Sequence, residues 1–469
     1  MRLPTSLLRS AFRQTSTRSW RCLPCSVAIR PQIRQASFSK LLAVETLASP
    51  PAHIRPIPTS SAKLSLPPDT AHSIQEQKRD ITLEIDGEAH SCDTFFLRDL
   101  CPCPKCVDPS TRQKLFNTTD LPDDVVPRAL RVKSKGVLEI IWNHPDHPHV
   151  SHYSPELLLR YSSPERKRHF RNPMSKQVYW DGEMMRENML KTDYHAFLKD
   201  DELLHRVLIQ LQQYGLAYFV NVPSENTDGT EIANLGSRFG EIKQTFYGKT
   251  WDVKSVAQSK NIAYHTCSPN SRRTLTDICS YTNLNLGLHM DLMYFNSPPG
   301  LQFLHCMRNT VTGGSSLFVD SFRVATLLRL HSPSLFKSLL STPVAFHYIN
   351  DNKHFYFSRP TVVMDPADPH AQAIDHVNYA PPFQAPFEVE TAGKGKANWR
   401  RFVAGLKQFA EISEREDMRY EETMREGECV VFNNRRVLHA RRAFDTETGE
   451  RWLKGTYVDW DDFQAISGF

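Results

Sequence analysis

Within Thr282-Asn-Leu-Asn-Leu-Gly-Leu-His-Met-Asp-Leu-Met-Tyr-Phe295, His289 and Asp291 stand two residues apart. Successive side chains of an extended chain point to opposite faces, so an imidazole and a carboxylate at this spacing share one. Asn283, Asn285 and Gly287 lie on that face, while Leu284, Leu286, Leu288, Met290 and Leu292 take the other, core-facing side. One strand thus offers two adjacent ligands to an octahedral metal. A second histidine would complete a 2-His-1-carboxylate triad with three positions open for small molecules. His439, in Val437-Leu-His-Ala-Arg-Arg442, is the candidate. Alone, His-x-Asp reads equally well as a buried hydrogen-bonded pair. A second copy, His144-Pro-Asp146, reads as loop because Pro145 and Pro148 break a strand. The order of features favours metal chemistry: twelve residues after His439, Arg451 opens Arg451-Trp-Leu-Lys-Gly-Thr-Tyr457. A guanidinium there can hold a carboxylate through two parallel hydrogen bonds. Arg441 and Arg442 compete for that role.

A second constellation, Cys101-Pro-Cys103-Pro-Lys-Cys106, places three soft ligands within six residues. A fourth would close a tetrahedral structural zinc site with no open position. His144, His147, His149 and His152 are all near enough in sequence, and three reduced buried thiols are the plainer alternative.

The elements that must carry these groups follow from periodicity. Ile81, Leu83 and Ile85 alternate as a strand before the Asp86-Gly87 turn, and Val132 to Trp142 repeats the pattern around Lys135-Gly136. This predicts a small β-rich unit over 79–180. From 190 to 469 a helical repeat over Asp201–Tyr214 precedes short strands at Leu301–Cys306, Ser316–Val319, Val344–Tyr348, His354–Ser358, Cys429–Asn433 and Gly455–Asp459. One amphipathic helix runs through Trp399, Phe402, Val403, Leu406, Phe409 and Ile412. The fold class is mainly β with helices: a double-sheet jelly roll plus the small N-terminal unit.

Of 469 residues, 40% are hydrophobic and 23% charged, as in a globular protein, and no apolar run is long enough for a membrane span. The net charge of +5 is unevenly spread. Residues 1–44 hold eight cations and no acid, so eight fewer leaves −3 for the remainder. Bulk electrostatics therefore gives no reason to bind nucleic acid. An Arg- and Ser-rich, acid-free start reads as a mitochondrial transit peptide over 1–44, which predicts the matrix as destination. Residues 45–78, rich in proline, read as an extended linker that does not pack.

Several segments resemble the gamma-butyrobetaine dioxygenase family: Phe96-Leu-Arg-Asp-Leu-Cys-Pro-Cys103, Phe246-Tyr-Gly-Lys-Thr-Trp251, Pro298-Pro-Gly-Leu-Gln-Phe-Leu-His-Cys306, Leu317-Phe-Val-Asp320 and Phe432-Asn-Asn-Arg-Arg-Val-Leu-His-Ala-Arg-Arg442. The resemblance spans about 80–469. It implies a double-stranded β-helix and Fe(II) on His289, Asp291 and His439. It further implies 2-oxoglutarate on Arg451, O2 as co-substrate, ascorbate as reductant, and zinc on the three cysteines with His152. An aromatic cage at Tyr247, Trp251 and Tyr457 would hold a trimethylammonium group, which offers no hydrogen-bond donor and is selected by shape and aromatic faces. The family motif Asn-x-Ala-Tyr matches Asn261-Ile-Ala-Tyr264, but residues 265–281 are additional. That insert is either a loop beside the pocket or an unspliced intron. Tyr264 or Tyr281 is then the fourth cage aromatic. Asn261 would face the substrate carboxylate, with Asn378 as second choice.

The implied activity is hydroxylation of gamma-butyrobetaine to carnitine. Alternatives are hydroxylation of trimethyllysine or of a substrate such as a sulfonate, or a non-catalytic zinc-unit binding protein whose iron site the insert disables. A homodimer is left open.

Overall fold

Asp86 and Gly87 both adopt positive φ, 54° and 84°, the paired left-handed conformation that closes a two-residue hairpin. The hairpin joins β2 (Asp80–Ile85) to β3 (Glu88–Asp93), and β1 (Leu64–Ser65) pairs antiparallel with β2. The structure is a computed structural model. It describes residues 63–67, 79–142, 149–171, 177–254, 256–257, 265–266, 286–350 and 352–467, apart from 367, 369–371, 389, 391–392 and 446. Asn261, Tyr264, Tyr281, His144, the 1–44 segment and nearly all of the 265–281 insert lie outside the described residues.

β1 corrects one expectation. Leu64 and Ser65, assigned above to a non-packing linker, pair with Ile85 and Glu84, and Leu64 is buried with Ile81, Leu83, Ile85 and Leu97. A leucine facing an unpaired strand edge gains both backbone bonds and apolar contact. A second three-stranded sheet follows: β4 (Pro127–Val132), β5 (Leu138–Trp142) and β6 (Val150–Tyr153). Between the sheets, helix α1 (Thr94–Asp99) is capped by Asp93, whose carboxylate accepts from Phe96 N at 2.8 Å. It delivers the chain directly to Cys101.

The larger unit contains two facing sheets. Six strands form the first, in the order β7 (Lys191–Asp193), β8 (Leu216–Val220), β16, β11, β18, β9; here β9 is Thr250–Lys254, β11 Leu301–Asn309, β16 Cys429–Asn433 and β18 Arg451–Val458. Four form the second, in the order β10 (Leu286–His289), β17 (Val437–Arg441), β12 (Ser316–Asp320), β15 (Tyr420–Glu422). The hairpin β13 (Pro343–Asn350) and β14 (Lys353–Pro360) stands apart. Together these strands form the expected jelly roll.

Strand β16 shows how the sheets bury both sides. Cys429 and Val431 pack outward with Val207, Leu211 and Ile232 beneath two helices, Asp201–Gln213 and Thr230–Ser237. Val430 and Phe432 pack inward with Tyr218, Phe318 and Val437. Such a strand reads as an unbroken apolar run because neither face meets water. The long helix Gly393–Ser413 lies against the four-stranded side through Phe402 and Phe409. Among the described residues no helix is long and apolar enough to cross a membrane.

Candidate functional site

The four-stranded sheet brings two distant histidines together by register alone. β10 and β17 run antiparallel with His289 opposite His439, and β12 places Phe318 opposite His439 on its other side. The two imidazole centroids are 4.2 Å apart. Asp291 Oδ1 lies 3.3 Å from His289 Nε2 and 3.8 Å from His439 Nε2. Two ligands at right angles and about 2.1 Å from an ion sit about 3 Å apart, so the three side chains fit a facial set around one metal. His289 Nδ1 lies 2.9 Å from Gly287 O. Donation of its N–H to that carbonyl leaves Nε2 as the free lone pair. Burial, then repulsion from His289, holds His439 down to about 3, so it stays neutral and able to ligate. Burial alone would raise the Asp291 carboxyl. Its contact with His289, the nearby His439 and the Tyr457 hydroxyl outweigh that and hold it well below the usual range.

The strand carrying these groups is shorter than the alternation suggested. It ends at His289, and Leu292 turns the chain with φ of 58°. The backbone past the strand end is held by other partners. Met290 N donates to Tyr379 O at 2.8 Å, and Asp291 N donates to Asn434 Oδ1 at 2.8 Å. Asn434 Nδ2 returns to Asp291 O at 3.0 Å, so one fully buried amide brackets the Asp291 residue. The sequence motif contained Asn434 but offered no sign of this task.

Around the triad lies a cavity of about 100 Å³. Alternation along β18 sends Arg451, Leu453 and Tyr457 into it, as their spacing predicts. Arg451 is 5% exposed, and among the described residues no acid pairs with it. Burial lowers it only to about 10, so it stays charged. Gly314, at φ 74°, leaves the space it needs, since a Cβ there would stand 3.3 Å from Arg451 Cδ and Nε. Arg441 also lines the cavity, pushed down to about 9 by burial and by Arg451. A buried, unbalanced cation beside a three-ligand centre suits a dicarboxylate that binds metal at one end and guanidinium at the other.

Another part of the lining is aromatic. Trp251 and Tyr457 rings are 5.1 Å apart, and Tyr247 lies 6.4 Å from Trp251. Trp251 covers Gly455, its partner across β9 and β18; a Cβ on that glycine would come within 2.4 Å of the indole. The structure thus groups Tyr247, Trp251 and Tyr457. It adds Tyr294, Phe383, Leu292 and Gln302, which the sequence reading passed over. Tyr294 was hidden because parity counted from His289 fails beyond the turn. Asn378 belongs elsewhere. It lines a separate cavity with Thr361 and Tyr379, and its amide donates to Pro360 O at 2.7 Å and accepts from Arg435 Nη2 at 3.0 Å. A side chain so occupied is a structural cross-link rather than a substrate contact.

In the small unit Cys101, Cys103 and Cys106 gather with His149, not His152. His149 Nε2 lies 3.3, 3.5 and 3.5 Å from the three sulfurs. The edge between sulfur and nitrogen of a tetrahedron with bonds of about 2.3 and 2.0 Å is about 3.5 Å, which suits zinc. Burial pushes the Cys101 thiol up to about 12, so a bound cation is what would hold that sulfur as the thiolate. His152 is excluded by strand parity. Ser151 and Tyr153 face inward on β6, whereas His152 faces out and meets Glu139 Oε2 at 2.9 Å.

Comparison with known proteins agrees with this geometry. Residues 181–457 match the taurine catabolism dioxygenase TauD, TfdA family, and residues 73–159 match the gamma-butyrobetaine hydroxylase-like N-terminal domain. The chain is 38% identical to Dioxygenase str8 of Strobilurus tenacellus, over 78% of this chain and 82% of that protein. It is 29% identical to gamma-butyrobetaine dioxygenase of Pseudomonas sp. (strain AK-1), over 80% and 90%. With trimethyllysine dioxygenase of Meyerozyma guilliermondii it shares 26%, over 82% and 91%. The non-catalytic alternative is thereby set aside. The chain belongs to the TauD, TfdA family, within its gamma-butyrobetaine and trimethyllysine dioxygenase group, and is an Fe(II)- and 2-oxoglutarate-dependent dioxygenase.

Proposed function

We propose that the enzyme hydroxylates gamma-butyrobetaine to carnitine. One observation carries this reading: an aromatic wall beside the triad is built of Tyr247, Trp251, Tyr294 and Tyr457, and among the described residues the only acid in the cavity lining is Asp291, already committed to the metal set. Such a wall favours a quaternary ammonium, which asks for aromatic faces and no acceptor. A sulfonate carries no cation for it, and the α-ammonium of trimethyllysine would want a further acid. Fe(II) would sit on His289, Asp291 and His439, and supplies the oxidising power for an unactivated C–H bond when 2-oxoglutarate and O2 are bound. Arg451 would hold the distal carboxylate of 2-oxoglutarate. Tyr264 or Tyr281, with Asn261, would complete the substrate subsite. The protein's task is to hold one carbon toward the metal and keep water away.

Zinc on Cys101, Cys103, Cys106 and His149 would be structural. Ascorbate would keep the iron reduced, the acid-free first 44 residues would direct the chain to mitochondria, and a homodimer is compatible with this reading.

The test is anaerobic reconstitution with Fe(II), 2-oxoglutarate and ascorbate, then measurement of succinate and hydroxylated product after O2 is admitted. Equal amounts of succinate and carnitine from gamma-butyrobetaine support the proposal. Coupled turnover of trimethyllysine alone transfers the enzyme to that substrate. Iron-dependent succinate release coupled to neither overturns the trimethylammonium reading.

A further inference from the structure

Tyr457 touches both halves of the site. Its ring forms part of the aromatic wall, 5.1 Å from Trp251. Its hydroxyl donates to Asp291 Oδ2 at 2.8 Å. The other carboxylate oxygen, Oδ1, is the one that faces both histidines, at 3.3 and 3.8 Å. The two oxygens of Asp291 therefore have different partners. Asn434 fixes the main chain that presents this carboxylate, because it holds the Asp291 N–H and C=O together. Tyr457 is itself 2% exposed, and its place in the register opposite Gln302 leaves the ring little freedom.

We infer that Tyr457 is a positioning residue that makes Asp291 a one-oxygen ligand. A carboxylate free at both oxygens can close onto a metal with both, and would then occupy a position that 2-oxoglutarate or O2 needs. The phenol prevents this by engaging Oδ2. A substrate cation resting on the same ring draws electron density toward itself and makes the hydroxyl a stronger donor. Occupancy of the aromatic wall is thus communicated to the metal carboxylate through a single side chain. The first statement rests on the iron reading above and is independent of which substrate is used. The second rests on the trimethylammonium reading.

Tyr457→Phe keeps the ring and removes only the O–H. The experiment follows the visible absorption of the anaerobic Fe(II)–2-oxoglutarate complex without any substrate, together with 2-oxoglutarate affinity. The expected result is a shifted band and about tenfold weaker 2-oxoglutarate binding, the size typical of losing a partner behind a metal ligand. A band and affinity equal to those of the native enzyme overturn the inference. Incorporation of 3-fluorotyrosine at 457 preserves size and hydroxyl while strengthening the donor, and should move the band the opposite way; movement in the same direction as Tyr457→Phe overturns it too. Trp251→Leu serves as the reference for the substrate reading. It should leave the substrate-free band in place while weakening gamma-butyrobetaine binding, so failure of the substrate proposal is separable from failure of this one.

Discussion

His289 and His439 face each other directly across the β10–β17 pair, so the metal centre is a consequence of strand register. A slip of one residue would turn His439 to the opposite face of its sheet. Five register pairs with β12, from Ser316↔Arg441 to Asp320↔Val437, hold β17 in place. At their end the buried Arg436 guanidinium meets both Asp320 oxygens, at 3.1 and 2.8 Å. That pair acts as a peg for the register on which the iron ligands depend.

Asn434→Ala should leave the buried Asp291 N–H unpaired. The expected cost is about 1–3 kcal/mol in unfolding free energy, with Fe(II) affinity lowered about 10- to 100-fold. Urea unfolding of the apo-protein and anaerobic Fe(II) titration measure the two effects. Native affinity in a destabilised variant would deny Asn434 any role beyond the fold.

Arg451→Lys keeps a charge but loses the planar two-donor fork. The KM for 2-oxoglutarate should rise about 10- to 100-fold, the equivalent of losing one charged hydrogen bond worth about 1.5–3 kcal/mol. An unchanged KM would reassign the co-substrate carboxylate to Arg441, which lines the same end of the cavity.

Trp251→Leu should raise the KM of a quaternary ammonium substrate about 3- to 30-fold, for a cation–π contact of about 0.5–2 kcal/mol, with a smaller effect on kcat. Gly455→Ala should act alike without touching the ring chemically, because its Cβ would meet the indole at 2.4 Å and displace it. Steady-state kinetics of the pair decide this: a neutral Gly455→Ala would mean that the ring's position does not matter.

His149→Ala should abolish zinc retention, whereas His152→Ala should keep the metal and change stability by less than about 1 kcal/mol, because His152 is exposed and Glu139 keeps Lys133 as a partner. Metal analysis after dialysis reads out both. Zinc loss in His152→Ala alone would reverse the ligand assignment.

His305, 1% exposed on β11, is held down to about 4 from 6.5 by burial and by Lys454. In the unfolded chain it takes up a proton near 6.5, while in the fold it does so only near 4. Between those values the unfolded state binds more protons, so stability rises with pH. The contribution is complete above about pH 6.5 and is lost as pH falls toward about 4. Urea midpoints across this range should slope upward with pH, and less steeply in His305→Phe. Equal slopes would mean that the imidazole is already protonated in the fold.

Strand parity made much of the site legible. Arg451 and Tyr457, six residues apart on one strand, share an inward face, and the order of His-x-Asp, distal histidine and following arginine selected three ligands that do converge. Where the chain leaves regular structure, the same logic gave out. Leu292 makes a left-handed turn and Tyr294 follows it, so their direction could not be counted from His289. The histidine that joins the cysteines depended on where β6 begins, and a shift of three residues exchanged His152 for His149. Asn378 was mistaken for a substrate contact because a polar residue in a sequence does not announce that its hydrogen bonds are already spent on Pro360 and Arg435.

The residues lining the cavity differ in how they are supported. Arg451, His439 and Tyr457 belong to strands inside sheets, whereas Tyr247, Tyr294 and Phe383 come from turns and a short 3-10 segment beyond the strands. Over evolutionary time the second group can be exchanged at small cost to folding, while the first cannot. Descendants of such a chain would therefore inherit one unaltered oxidation and apply it to new molecules, diverging in diet while keeping the same fire.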